Sequence, residues 1–344
     1  MKRKKIVIIV ISVLLLLFVV AGVFVYSVYK KVNSPAFPSD ALPVMVYIDS
    51  QRSYSSLLNQ LSEQQINDLV LFQRLAKQMK YPENIKTGRF EFAENISYLN
   101  LVRALRSWRQ PIIFTFNNVR FKEDLAKRAG EEFMFSADDL LTLLNDETYC
   151  QKQGFDTLTI IAMFIPNTYE MYWDIDAGQF TDKMKTEYNR FWNSDRLAKA
   201  EAIGLSPVDV STLASIVEEE TAKLDEYPVV AGLYINRLHK GMLLQADPTV
   251  KYAVGDVTLQ RVLNRHLEVD SPYNTYKHTG LPPGPIRIPS IQGIDAVLNY
   301  TKHDYLYMCA KEDFSGYHNF SRTLSEHNRN ARKYQQALNR LNIR

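Results

Sequence analysis

A run of 24 residues without a single charge, residues 6–29, constrains this chain more than any other feature. Wound as an α-helix it measures about 36 Å at ~1.5 Å per residue. That exceeds the ~30 Å hydrocarbon core of a bilayer, so the helix spans with some tilt. A cleaved signal peptide is the competing reading. The apolar stretch is too long for a typical signal core, and no A-x-A site follows it. The expectation is an uncleaved single-pass anchor. Lys2, Arg3, Lys4 and Lys5 precede the span and only Lys30 and Lys31 follow it. That bias puts the N-terminus in the cytoplasm and the rest of the chain outside it. No Cys lies near the end of the span, which argues against a lipoprotein.

The anchor also explains the charge. The chain carries net +3, and the six basic residues around the span account for more than all of it, leaving about −3 for residues 32–344. A basic face on the folded body, which nucleic-acid binding would need, is not indicated. With 46% hydrophobic and 23% charged residues in 344, the chain can bury more than one core. Its two cysteines, Cys150 and Cys309, do not make a disulfide framework and read as buried free thiols in different domains.

Beyond the span, Ser34, Pro35, Pro38 and Ser39 mark residues 30–42 as a linker. Residues 44–48 form a strand candidate, 53–61 and 66–79 carry helical patterns, and 84–92 (NIKTGRFEF) read as a turn and a strand. Residues 96–108 add a helix. A similar order follows: strand candidate 111–116, helical stretches 121–129 and 137–145, then 164–173 (FIPNTYEMYW). This reads either as a weak internal repeat or as two ordinary α+β stretches. Small strand–helix–helix–strand units resemble LysM carbohydrate-binding modules. Residues 181–202 read as one charged amphipathic helix.

The chemistry lies after residue 206. Ser206 can cap a helix and Pro207 fits its first position. The helix is expected to run to about Leu224, with Val210, Leu213, Ile216, Val217 and Leu224 on a core-facing stripe. Glu218, Glu219 and Glu220 stand in a row, but successive helical residues point about 100° apart. Glu219 falls on a polar face with Thr212 and Lys223 and reads as solvated. Glu218 lies over Ala214, Ser215 and Ala222, a small-residue face that could border a pocket. Glu220 continues the apolar stripe. Desolvation there raises its pKa and suits it to act as a general acid near neutral pH. The bland alternative is a structural ion pair, for example with Arg237. A second helix is expected from about Pro228 to a Gly241 cap. Loops then gather neutral hydrogen-bonding and aromatic groups of the kind sugars need: Gln245, Asp247 and Thr249, then Tyr273, Asn274, Thr275 and Tyr276. Ordinary turn chemistry explains them too, above all in the Pro282–Pro285 run.

Here a resemblance becomes specific. LASIVEEETAKLDEYPVVAGLYINRLHKGMLLQADPTVKY at 213–252, with YNTYKHTGLPPGPI at 273–286, resembles the endolytic murein transglycosylase family (YceG-like). Tyr317-His318-Asn319-Phe320 and Glu326-His327-Asn328 are similar to later family segments. Ala246 departs from the pattern, where Ser or Thr is usual, and this puts one substrate contact in doubt. The family's catalytic acid is the second Glu of E-x-E, which lands on Glu220.

The resemblance implies an α+β chain built as follows: cytoplasmic tail 1–5, transmembrane helix 6–29, linker 30–42, LysM-like α+β region 43–175 and catalytic α+β domain 176–344. It implies a lyase that cuts the β-1,4 bond between N-acetylmuramic acid and N-acetylglucosamine in nascent peptidoglycan and leaves 1,6-anhydro ends. Glu220 is the implied acid/base. Glu218, Asn236, Gln245, Asp247, Thr249, Tyr273, Asn274, Thr275 and Tyr276 are the implied substrate contacts. Glycan strands, the cytoplasmic membrane and peptidoglycan synthases are the implied partners, with no nucleic acid. No cofactor or metal is expected: the six His are scattered, and G-x-S-x-G, Walker A and H-E-x-x-H motifs are absent. Two rivals stay open, a non-catalytic wall-binding scaffold and a muramidase that uses water.

Overall fold

The computed structural model describes residues 2–107, 109–117, 119–256, 259 and 262–340. Met1 and Trp108, which bound the expected tail and one expected helix, lie outside the described residues. The first helix, α1 (Lys2–Val32), contains the uncharged run, and its apolar side chains are exposed along its length. It is long and apolar enough to cross a membrane, as a single-pass anchor requires.

Packing divides the chain into two units: Met1–Ile113 with Glu170–Ile175, and Phe114–Tyr169 with Asp176–Arg344. The sequence places its boundary at 175/176, and packing adds divisions at 113/114 and 169/170.

In the first unit, β1 (Val44–Ile48), α2 (Tyr54–Glu63), α3 (Leu69–Gln78) and β2 (Gly88–Phe92) follow the expected order, and α4 (Tyr98–Ser107) comes next. The strands pair antiparallel, Val44 opposite Phe92 and Ile48 opposite Gly88. Val44, Val46 and Ile48 alternate inward, the period-2 pattern of a half-buried strand. Ser53 caps α2 and Asp68 caps α3 through their side-chain oxygens. Gln60 on α2 takes up both backbone groups of Tyr47, accepting from its N–H at 2.9 Å and donating to its C=O at 2.8 Å. The core holds Phe37, Leu57, Phe72, Tyr81, Phe90 and Tyr98, all within 1% of full burial. Each such side chain contributes about 1.5–3 kcal/mol of hydrophobic stabilisation.

Phe37 overturns the linker expectation for residues 30–42. Ala36 and Phe37 are fully buried, the Ala36 N–H donates to Ile96 O, and the Asn67 N–H donates to Ala36 O, both at 2.8 Å. The prolines there shape a packed segment rather than a free tether.

The chain leaves through β3 (Pro111–Phe116). The second unit adds α5 (Lys122–Glu132), α6 (Ala137–Asn145) and α7 (Glu147–Lys152), and then comes β4 (Asn167–Tyr172), which pairs with β3; the division at 113/114 and 169/170 falls within these two strands. The second strand–helix–helix–strand order is thus present, with α7 inserted. The expected single helix at 181–202 is instead two, α8 (Ala177–Phe191) and α9 (Ser194–Ala202). The break comes at Asn193, whose side chain accepts from the Arg196 N–H at 3.0 Å and starts a new helix.

α10 (Pro207–Glu220) is the centre of this unit. Ser206 and Asp209 form its capping box, and every residue from Val210 to Glu218 is buried. A helix covered on all sides needs small residues where neighbours approach. α11 (Tyr227–His239) and α13 (Ile291–Leu298) pack on it, beside α12 (Asp247–Val254). At Gly293 on α13, any Cβ would lie 2.3 Å from Glu218 Oε1. Ser215 Oγ accepts from the Ile286 N–H at 3.0 Å, which fixes the G-L-P-P-G-P-I loop to α10. The β5 (Tyr307–Ala310) and β6 (His318–Ser321) hairpin and α14 (Leu324–Arg340) complete the unit.

α10 stops at Glu220, short of the expected Leu224. Thr221 is extended at φ −142°, ψ 143°, and its hydroxyl donates to Glu226 Oε2 at 2.9 Å while accepting from the Lys223 N–H at 3.0 Å. This turn delivers the chain to Tyr227-Pro228, which opens α11. Leu224 is consequently 56% exposed and no part of the stripe.

Candidate active site

Ending α10 at Glu220 places that carboxyl at a helix C-terminus, over a pocket of about 270 Å³. Its wall comes from α11 (Leu233, Tyr234, Arg237), from Leu244, Gln245 and Asp247 at the start of α12, from Tyr276, and from Met308, Cys309, Ala310 and His318 of the hairpin. All belong to the second unit.

Glu220 is half-buried, and protein packed densely around it denies its anion most of its hydration. Desolvation pushes its pKa from 4.5 to about 7, and the nearby Asp247 charge adds to the rise. Tyr234 opposes it by donating a hydrogen bond to Glu220 Oε1 at 2.5 Å, as do the charges of Arg237 and Lys251. The partial negative charge of the α10 C-terminus acts in the upward direction. The group is thus poised between acid and base near neutrality.

Arg237 does not pair with Glu220. Its guanidinium donates to three carbonyls, Leu306 O at 2.6 Å, Leu244 O at 2.8 Å and Leu243 O at 3.2 Å. It therefore holds the hairpin and the α12 approach around the pocket while lending positive charge. Asp247 accepts from the Tyr276 hydroxyl at 2.6 Å, and both burial and that bond raise the Tyr276 pKa. Gln245 sits at φ +49°, a region costly for a side chain without a local reason. Its N–H donates to Thr275 O at 3.1 Å. His318 is held from behind: Glu226, buried, accepts from the His318 backbone N–H at 2.7 Å and lies 2.9 Å from its Nδ1.

The other acids of the E-E-E run have separate tasks. Glu219 is not solvated, as its helical position had suggested. Arg120 reaches it at 2.6 Å and Arg287 at 2.5 Å, leaving its side chain 16% exposed. Glu218 lies away from the pocket and accepts from the Ser290 N–H at 2.8 Å and from the Ser290 hydroxyl.

Of the ten residues singled out in the sequence, Glu220, Gln245, Asp247 and Tyr276 meet at the pocket. Asn236 turns behind it and donates to His303 O and Tyr305 O. Asn274 is fully buried and donates to Leu267 O and Val269 O. Thr249 and Thr275 are buried against each other at 2.8 Å, and Tyr273 packs on Tyr252. These residues build the loops that carry Gln245, Asp247 and Tyr276. Ala246 is also fully buried, as the N-cap of α12 without a capping side chain. The departure from the family pattern thus falls at a buried cap position. The sequence does not single out Tyr234; it marks His318 only as part of the family-like segment 317–320, and Arg237 only as an ion-pair partner. Tyr234 and Arg237 lie three apart, so they share a helix face, a signal present in the sequence.

Among the described residues no group of three or more His, Cys, Asp or Glu is arranged to hold a metal ion. Both cysteines are free, Cys150 buried and Cys309 half-buried at the pocket wall, and both lie in the second unit.

The sequence model of the YceG-like family matches residues 46–333. A Bacillus subtilis (strain 168) protein named endolytic murein transglycosylase is 29% identical over 340 residues, covering 92% of this chain and 91% of that one. A Streptococcus pneumoniae (strain D39) protein of the same name is 24% identical over 296 residues, and the match spans 53% of its length, about half. The crystal structure of a YceG-like protein from Listeria monocytogenes superposes with a TM-score of 0.56 at 26% identity, over 83% of this chain and 98% of that one.

Proposed function

This chain belongs to the YceG-like family, and from that premise we propose that it is an endolytic murein transglycosylase with Glu220 as its acid/base. One observation carries the reading: a single half-buried carboxyl, raised to about 7, sits over a polar pocket while its neighbours in the E-E-E run are locked into ion pairs and hydrogen bonds.

In the reaction, protonated Glu220 gives its proton to the glycosidic oxygen as the bond from that oxygen to the muramyl C1 breaks. The resulting carboxylate then takes the proton of the muramyl 6-hydroxyl as its oxygen bonds to C1. The acid is regenerated, a 1,6-anhydro ring closes, and no water is consumed. Glycosidases that use water employ two flanking carboxyls. Here Asp247 is tied to Tyr276 and serves orientation. Tyr234 stabilises the carboxylate form after the first transfer. Gln245 and His318 offer hydrogen bonds to the sugar rings. Mass analysis of the ends released from purified peptidoglycan tests this: anhydro ends, one water lighter than reducing ends, are expected. Reducing ends would make the protein a muramidase, and no cleavage would leave a scaffold.

In this proposal α1 anchors the body with the N-terminus in the cytoplasm, since four basic residues precede the span and two follow. The body then works on new strands beside the synthases that extrude them. Protease added outside spheroplasts should digest the body and leave α1 in the membrane; a soluble form beginning after residue 29 would refute the anchor. The β1–α2–α3–β2 unit, with its LysM-like order, serves to hold glycan.

A further inference from the structure

The hairpin borders more than the pocket under Glu220. A second, of about 350 Å³, opens where β6 meets the start of α14. Its chemistry differs from that of the first. Tyr305 and Phe320 stack at 5.7 Å to form an aromatic wall. Arg322 and Arg329 bring two exposed guanidinium groups, and Glu326 brings one carboxylate, set at the first turn of α14 by the Arg322 and Thr323 N–H groups. Ser321 is 3% exposed yet lines the cavity. Its oxygen accepts from Asn330 Nδ2 at 3.1 Å, and its own proton has no acceptor among the described residues.

Such a lining suits a ligand with both signs of charge. Two guanidiniums favour a carboxylate, geometrically so for a planar one. Glu326 favours an ammonium, the buried serine offers a donor, and the ring wall covers apolar chain. A strand stripped of its peptides keeps only the lactyl carboxylate of each muramyl residue, close to the sugar ring, and has no ammonium. A short peptide with a terminal carboxylate and a diamino side chain carries all of them.

β6 sets the spacing. His318 lines the catalytic pocket, while Phe320 and Ser321 line the second cavity. Two to three residues of extended strand cover about 7–10 Å. That is within reach of a peptide hung from a sugar seated over Glu220.

We infer that the cavity of Ser321, Arg322, Glu326 and Arg329 is a subsite for the zwitterionic stem peptide carried by the muramyl residues of the glycan. The inference rests on the murein reading above. It makes the stem peptide a recognised part of the substrate rather than a passenger.

The test uses the full chain in detergent and glycan strands of one preparation, half of them stripped of stem peptides by an amidase. Wild type should show a KM about tenfold lower on stemmed strands, the scale of one or two charge-assisted hydrogen bonds. The double variant Arg322→Ala/Arg329→Ala should raise KM on stemmed strands to the stripped value and leave kcat and stripped-strand turnover within about twofold. Adding free tetrapeptide should not restore stripped strands, because the gain comes from attachment. Equal KM for both strands in wild type, or equal losses on both in the variant, overturns the subsite. Binding of both strands to the Glu220→Gln chain gives a readout without turnover: a stem preference that depends on Arg322 and Arg329 upholds the subsite, and its absence rejects it. Absence of cleavage by wild type, by contrast, sinks the lyase reading alone.

Discussion

Glu220→Gln should cost activity and add stability, and the second effect should depend on pH. Burial carries the Glu220 carboxyl from 4.5 to about 7. Its folded pKa therefore lies above its unfolded value, so the native chain holds this proton more tightly than the unfolded chain does. The favourable contribution is complete below about pH 4.5, declines as pH rises toward about 7, and is gone above it. At ~1.4 kcal/mol per pH unit, that interval amounts to about 3 kcal/mol. The carboxyl keeps some contact with pocket water, so about 1–3 kcal/mol is expected. Glutamine keeps the shape and still accepts the Tyr234 hydroxyl, but never ionises. Relative to wild type, the variant should gain about 1–3 kcal/mol between pH 5 and pH 8. For a unit of this size that opens a gap of a few degrees up to about 10 °C in unfolding midpoint. Near-UV circular dichroism of the detergent-solubilised full chain during heating reads the midpoint. Mass analysis of anhydro ends should show activity down at least ~10²-fold. A stability difference that stays flat with pH would refute the raised pKa, and normal cleavage by the variant would refute the catalytic assignment.

Tyr234→Phe removes the hydroxyl that stabilises the Glu220 carboxylate, so the Glu220 pKa should climb further and the alkaline limb of the pH–rate profile should move up by about one pH unit; an unmoved limb counts against the Tyr234 role. Glu219→Gln leaves Arg120 and Arg287 without their shared carboxylate and should cost about 1–3 kcal/mol in denaturant titration; a silent change would mean the clamp contributes nothing. Ala246→Ser should restore a cap to α12 and raise stability by about 0.5–1 kcal/mol with KM unchanged; an altered KM would place residue 246 in the substrate path after all.

The sequence revealed elements better than boundaries. The order of β1, α2, α3 and β2 followed from period-2 and period-3.6 patterns, and Ser206-Pro207 announced the start of α10. Local chemistry settles such features. The errors came where a tertiary partner decides. Residues 30–42 looked like a linker because Pro and Ser cluster there, but Phe37 found a core to fill. The stripe suggested that α10 continues to Leu224, yet the Thr221–Glu226 bond ends it four residues earlier. Nothing near Thr221 discloses that bond, because Glu226 is also fixed by His318, 92 residues away.

The same division governs the site. Helical geometry assigns the three glutamates three different directions, but direction does not specify what waits there: Glu218, expected to border a pocket, is buried against Ser290 instead. Glu219 points where a solvated residue would point and meets two arginines, one from before α5 and one from after the proline-rich loop. Asn274 and Thr275 have the polarity expected of sugar-binding loops, and their polarity is spent on the loop itself. A buried turn must satisfy its own N–H and C=O groups, and Asn and Thr side chains are suited to that. Exposed sugar contacts and buried loop braces therefore draw on the same residue types, and only burial tells them apart. Glu220 escaped the ambiguity because its cost runs the other way. Asn or Thr can be satisfied anywhere, whereas a carboxyl at the end of a buried helix, beside Asp247 and with one tyrosine for a donor, is held at the edge of ionisation. That tension is the support for the proton-transfer role proposed for Glu220, and polarity alone gives no comparable support to a ligand contact.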